Sequence, residues 1–255
     1  MEYNRLEIEI VDSVGTIWLN RPDKRNALDR LTVDEIIYAI NDLSVNQNVR
    51  SIILSGRGLS FCAGADLNHL KSISNFNIVE NLDDSKALAK AFFAIYNAPK
   101  PVIARVQGSA IAGGCGLMLA CDIIVATENS KFGFTEVKIG FIPAIVSAFA
   151  LRKCSQIQIR ELLLTGKIIS ANDAFDKGLI TKLVKNEIDL DLYINSLTEE
   201  ILSTSYTSVL LTKQMLNTLD YTSLESALEY TSNLNALARN TNDCKNGINK
   251  FLNIV

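Results

Sequence analysis

Two glycine-rich stretches limit what this chain can fold into: Phe61-Cys62-Ala63-Gly64-Ala65-Asp66-Leu67, and Gly108-Ser109-Ala110-Ile111-Ala112-Gly113-Gly114-Cys115-Gly116-Leu117. Each lies between residues patterned as a strand and residues patterned as a helix. Small side chains at such a turn let a ligand or another backbone approach closely, and a helix start supplies N–H groups with no intrahelical acceptor. Two such turns brought together make a pair of donors for a developing oxyanion, worth roughly 3 kcal/mol per donor. Taken singly, either is better explained by close helix-to-strand packing. Neither reads GxGxxG or GxxxxGK[ST], and no lysine follows the second cluster, which argues against a nucleotide-hydrolysing P-loop.

The rest of the chain alternates between strand and helix patterns, which defines an α/β class. Leu6, Ile8 and Ile10 alternate with polar residues, Asp12 to Gly15 form a turn, and Thr16 to Leu19 return as a second strand. Val33, Ile36, Ile37, Ile40 and Leu43 have helical spacing, with Thr32 and Glu35 fitting a capping box. Residues 50–55, 101–107 and 122–127 read as extended, 84–97 and 113–121 as helical. Ser170 with Asp173 marks a helix start, Gly178 its stop, and Leu179 to Val184 a last strand. Beyond residue 189 only helical patterns remain, broken near Ser205, Asp220 and Thr241. The expected division is a core of residues 1–188 and a helical region of residues 189–255, whose apolar stripes need a partner surface.

Composition narrows the chemistry. With 48% hydrophobic residues in 255, the chain can bury a sizeable core, and no apolar run is long enough to span a membrane. A formal net charge of −3 gives no general attraction for nucleic acid. The start lacks a basic then apolar leader, so a cytoplasmic protein is the expectation. Cys62, Cys115, Cys121, Cys154 and Cys244 are odd in number and form no CxxC pair, which suits reduced thiols and gives no metal site. His69 is the only histidine, so sites that need several imidazoles are excluded.

The two loops, with the blocks around them, resemble the enoyl-CoA hydratase/isomerase (crotonase) family over nearly the whole chain. Asn20-Arg21-Pro22-Asp23-Lys24-Arg25-Asn26-Ala27-Leu28 is similar to the family's opening CoA-side motif, 61–67 to its first oxyanion loop and 108–122 to its second. Phe132 to Glu136 with Gly140-Phe141-Ile142-Pro143 resembles its third block. The resemblance implies a ClpP/crotonase-type spiral of ββα units with a C-terminal helical region used in homotrimer or homohexamer contacts. It implies an acyl-CoA substrate, coenzyme A entering only as part of that substrate, and no permanently bound cofactor.

Carried over by position, Ala65 and Gly113 are the oxyanion-hole N–H donors and Glu136 the catalytic carboxylate. Lys24, Arg25, Ala27, Ala63, Asp66 and Leu67 line bound CoA, and Phe251 matches an aromatic near a neighbouring subunit's CoA. The position of a second family glutamate falls at Gly116, and Ile142 to Ser147 replaces a glycine-rich IPGAGG. Both departures resemble methylglutaconyl-CoA hydratases, as do Ala65 to Asn68, Glu80 to Leu82 and Ala104 to Gly108. The resemblance thus implies hydration of a branched enoyl-CoA. A double-bond isomerase, a decarboxylase or dehydratase on carrier-bound thioesters, and a non-catalytic acyl-CoA- or RNA-binding relative are the alternatives. From the residues alone, Asp66 suits a helix N-cap, Cys115 a packed thiol, and His69 a packed side chain or a specificity contact.

Overall fold

The computed structural model describes residues 3–219 and 222–252. Its first elements are the expected hairpin, β1 (Leu6–Val11) and β2 (Val14–Leu19), then a 3-10 turn (Pro22–Lys24) and helix α1 (Arg30–Val45). The capping expectation for α1 is corrected. Asp29 is the N-cap and accepts both the Thr32 N–H and its hydroxyl, while buried Glu35 accepts the N–H groups of Asn4 and Arg5 instead. Glu35 therefore fastens the N-terminal segment to the helix and is not free to fold back on the cap.

Three β-β-α repeats follow. The first is β3 (Ser51–Gly56), β4 (Ser60–Cys62) and the helices α2 (Leu67–Ile73) and α3 (Ile78–Asn97). The second is β5 (Val102–Val106), β6 (Ser109–Ile111) and α4 (Gly113–Ala120). The third is β7 (Ile123–Thr127), β8 (Lys131–Gly133), a 3-10 turn (Thr135–Ile139), α5 (Ala144–Lys153) and α6 (Gln156–Thr165). Then come β9 (Ile168–Ser170), α7 (Ala171–Asp176) and β10 (Lys182–Val184). Helices α8 (Glu187–Ser203), α9 (Tyr206–Leu219), α10 (Leu224–Arg239) and α11 (Asn242–Phe251) close the chain.

The first strand of each repeat joins one sheet, ordered β1-β2-β3-β5-β7-β10, and the second joins a smaller sheet, β4-β6-β8-β9. Pairing is parallel from β2 to β10 and from β4 to β8. This is the spiral that the resemblance implies. β3 and β5 are buried at every position, as strands covered on both faces must be. The alternation of side chains divides the interior. Ile52, Leu54, Val102, Ala104, Ile124 and Ala126 face α1, α3 and α4, whereas Ile53, Ile103 and Val125 pack against Leu190 and Ile194 of α8. No helix among the described residues is long and apolar enough to cross a membrane.

Helix α9 docks through a buried lysine. Lys213 Nζ lies 2.6 Å from Asp122 Oδ2 and donates to the Lys100 carbonyl at 2.9 Å, and Asp122 also accepts the Val102 N–H. Lys213→Met leaves that carboxylate without its cation. We expect a loss of about 2 kcal/mol in urea unfolding, below the usual cost of breaking a buried pair because Asp122 keeps 27% exposure.

Candidate active site

The smaller sheet assembles the site. β4, β6 and β8 are parallel neighbours, so the segments after them emerge at the same edge. Those segments are residues 63–66, 112–113 and 134–136, and three adjacent strands span only roughly 10 Å. Separate motifs are thereby brought to one place. The convergence is close: a Cβ added to Gly64 would lie 2.9 Å from the Ile111 carbonyl oxygen and 3.6 Å from the Gly113 nitrogen. A Cβ on Gly114 would lie 2.2 Å from the Cys62 carbonyl oxygen. Packing and donor placement are thus the same feature of these glycines.

The opening motif is stitched to the first loop by main-chain hydrogen bonds. Ala63 N–H donates to the Arg25 carbonyl, Leu28 N–H to the Gly64 carbonyl, and Asp66 N–H to the Leu28 carbonyl. Because Leu28 bonds the residues on either side of Ala65, the Ala65 N–H points away from it and donates to no acceptor among the described residues. Gly113 is the first residue of α4, and its N–H likewise has no acceptor among the described residues. Two residues missed by sequence reasoning brace this arrangement. Asn26, buried and in the left-handed region, donates to the Arg57 and Ser60 carbonyls and accepts the Arg21 N–H. Gln107 donates to the Gly56, Gly58 and Ser60 carbonyls.

Ala112 precedes Gly113 with φ 49° and ψ −116°, a conformation that suits glycine. Relief of strain of about 1–3 kcal/mol outweighs the roughly 0.5–1 kcal/mol that glycine costs in the unfolded chain. Ala112→Gly is therefore expected to stabilise the protein by about 1 kcal/mol, read as a higher urea midpoint.

Glu136 sits in the 3-10 turn after β8, half-buried. Its Oε2 is buried and has no hydrogen-bond partner among the described residues. Burial pushes this carboxyl above the ordinary glutamate value, with its own backbone N–H pulling weakly the other way. The space beside Gly116 is occupied: a Cβ there would lie 2.2 Å and 2.5 Å from ring atoms of Phe92 and 3.1 Å from Val146. Both side chains are buried.

The remaining residues divide clearly. Ala27 is buried, Ala63 half-buried, and Lys24, Arg25, Ala65 and Leu67 are exposed on the same rim. The Asp66 carboxylate is the α2 N-cap, accepting Asn68 N–H and pairing with Arg21 at 2.8 Å. Burial raises its pKa, but those partners outweigh that and hold it below the ordinary range. Phe251 lies apart, exposed at the end of α11. His69 Nε2 is 2.9 Å from Asp84 Oδ1 and ties α2 to α3. Cys115 is buried, donates its thiol to the Ala110 carbonyl, and is pushed up by that burial. Among the described residues no cluster of three or more His, Cys, Asp or Glu could hold a metal.

A sequence model of the family described as enoyl-CoA hydratase/isomerase matches residues 9–254. The chain is 32% identical over 255 residues to a crotonyl-CoA hydratase of Syntrophomonas wolfei, covering 99% of this chain and 96% of that one. It is 33% identical over 219 residues to a short-chain-enoyl-CoA hydratase of Clostridium acetobutylicum, covering 85% and 82%. A crystal structure of an enoyl-CoA hydratase from Shewanella pealeana superposes with a TM-score of 0.94 at 30% identity, covering 99% and 94%. With the spiral, the converging loops and the glutamate already in place, these matches show that the chain belongs to the enoyl-CoA hydratase/isomerase family.

Proposed function

We propose that this protein is an enoyl-CoA hydratase acting on a short, branched α,β-unsaturated thioester such as methylglutaconyl-CoA, with Glu136 as its single catalytic carboxylate. The observation that carries this reading is the buried Glu136 Oε2 beside two loops, with neither that oxygen nor the Ala65 and Gly113 N–H groups having a hydrogen-bond partner among the described residues. The thioester oxygen accepts from those two N–H groups. Glu136 takes a proton from water as its oxygen adds to the β-carbon, and electrons move through the α-carbon to give an enolate on the thioester oxygen. Protonation of the α-carbon, by Glu136 or by water, completes the 3-hydroxyacyl product.

Lys24 and Arg25, exposed at the rim, are assigned to the CoA phosphates, and Ala27, Ala63, Leu67 and the Asp66 backbone to the groove along its pantetheine arm. Residues 1–188 hold every group placed in the reaction. The helical region 189–255 is assigned to homotrimer or homohexamer contacts, where exposed Leu224, Leu228, Leu237 and Ile248 find partners and Phe251 approaches a neighbour's CoA. The five free thiols, three of them buried, support a cytoplasmic setting.

A second reading, double-bond isomerase, is favoured by one observation: Phe92 fills the space beside Gly116, and moving a proton between two carbons needs only one base. Crotonyl-CoA, methylglutaconyl-CoA and a β,γ-enoyl-CoA offered to the purified protein separate the two. A 3-hydroxyacyl-CoA from the conjugated substrates supports the hydratase, and a preference for methylglutaconyl-CoA supports its branched subgroup. Conversion of the β,γ-substrate alone to its conjugated isomer overturns it.

A further inference from the structure

The buried aromatic packing beside α4 has a use beyond stability. Gly113 and Gly116 are three residues apart on one helix, so they lie on neighbouring parts of one face, about 4.5 Å apart along the axis. Gly113 faces Leu28 and Gly64, while Gly116 faces Phe92 of α3 and Val146 of α5. α5 is reached from Glu136 through Gly140 to Pro143. Phe92 and Val146 therefore pack on α4 about one turn beyond the Gly113 N–H. Behind Phe92 the ring of Phe149 stands edge-on at 5.9 Å, and Tyr96 meets Phe149 at 5.8 Å. The atoms nearest a Cβ at Gly116 are ring carbons of Phe92 and a methyl of Val146, so the space is apolar.

We propose that Phe92 is the residue that limits the acyl-chain length this site accepts, its ring occupying the apolar space beside Gly116 into which a longer chain would extend. The inference rests on the placement of the thioester oxygen at Ala65 and Gly113 described above. With that oxygen at the start of α4 and the β-carbon turned to Glu136, the distal carbons run toward the Phe92 and Val146 wall. A glycine at 116 lets the ring rest directly on the helix backbone, so removing the ring opens space that no other side chain on α4 fills.

The test is calorimetric binding of butyryl-CoA and octanoyl-CoA, both unreactive, to the wild type, Phe92→Ala and Phe92→Leu. The octanoyl-to-butyryl affinity ratio is expected to rise at least about ten-fold in Phe92→Ala and about three-fold in Phe92→Leu, because a chain-length limit is a steric clash that shrinking the ring relieves. Turnover of 2-octenoyl-CoA against crotonyl-CoA should follow the same trend. Phe92→Leu keeps most of the buried volume and decides the matter if the alanine variant does not fold. A ratio within about two-fold of wild type in a folded variant overturns the proposal, as does a wild type that already binds both chains equally. A wild type that binds both classes but hydrates neither defeats the hydratase reading alone, since the binding ratio still decides the role of Phe92.

Discussion

Glu136→Gln is expected to lower kcat for hydration by about three orders of magnitude, the range of a positioned general acid–base group, and to leave binding of a saturated acyl-CoA nearly unchanged. Glutamine keeps the shape of the side chain and its contacts but can neither take a proton from water nor return one. In the proposed mechanism the carboxylate takes up a proton, so it must start ionised. Because burial raises its pKa, the acid limb of the kcat/KM profile is expected to lie above the ordinary glutamate value of 4.5. The same shift has a sign in stability. A carboxyl whose folded pKa is raised costs nothing while both states are protonated, and it weakens the fold as pH rises through the raised value. Glu136→Gln is therefore expected to melt above the wild type at about pH 8 and together with it at about pH 4. An unchanged kcat in the variant would remove Glu136 from the chemistry.

Gly116→Glu carries the second large effect, and it falls on folding. Reinstating a glutamate at this position looks like restoration of a second acid. Its Cβ would instead enter the Phe92 ring, which is fully buried, and its charge would sit in an apolar wall. Overpacking costs about 1–3 kcal/mol and an unpaired buried polar group adds several more. The sum of roughly 5 kcal/mol rivals the whole stability of a typical domain. The expected result is insoluble expression or a melting temperature lowered by well over ten degrees, with no gain in hydration rate. Adding Phe92→Gly should recover part of the loss, since the two positions share one space and their effects couple. A soluble Gly116→Glu protein with wild-type melting would show that Phe92 moves aside freely.

The residues made some of this architecture legible before any coordinates. Continuous apolar runs such as Ile52-Ile53-Leu54 and the helical spacing from Val33 to Leu43 define the large sheet and its covering helices, because burial of those periods has few alternatives. Ser170 with Asp173 marks the start of α7 as the structure has it, through a reciprocal side-chain and backbone cap. At α1 the same kind of pattern misled, because Asp29 takes the cap and Glu35 is drawn to the N-terminal segment.

The smaller sheet was not legible. β4, β6, β8 and β9 have three residues each, too few for a period to emerge; β6 lies inside a stretch that reads as a glycine-rich loop, and β4 overlaps the other. The sequence by itself determined which groups exist: one histidine, two glycine-rich loops and the glutamate at 136. Only the tertiary structure decided that the two loops and the segment carrying Glu136 leave one edge, because their proximity comes from parallel pairing between segments some fifty residues apart at β4 and β6, and from the pairing of β6 with β8. It also decided that Gly116 is empty of side chain for a reason, since the atoms that fill its space belong to a ring on another helix. Local patterns report burial and caps within a turn or two; contacts made across the fold leave no local period to read.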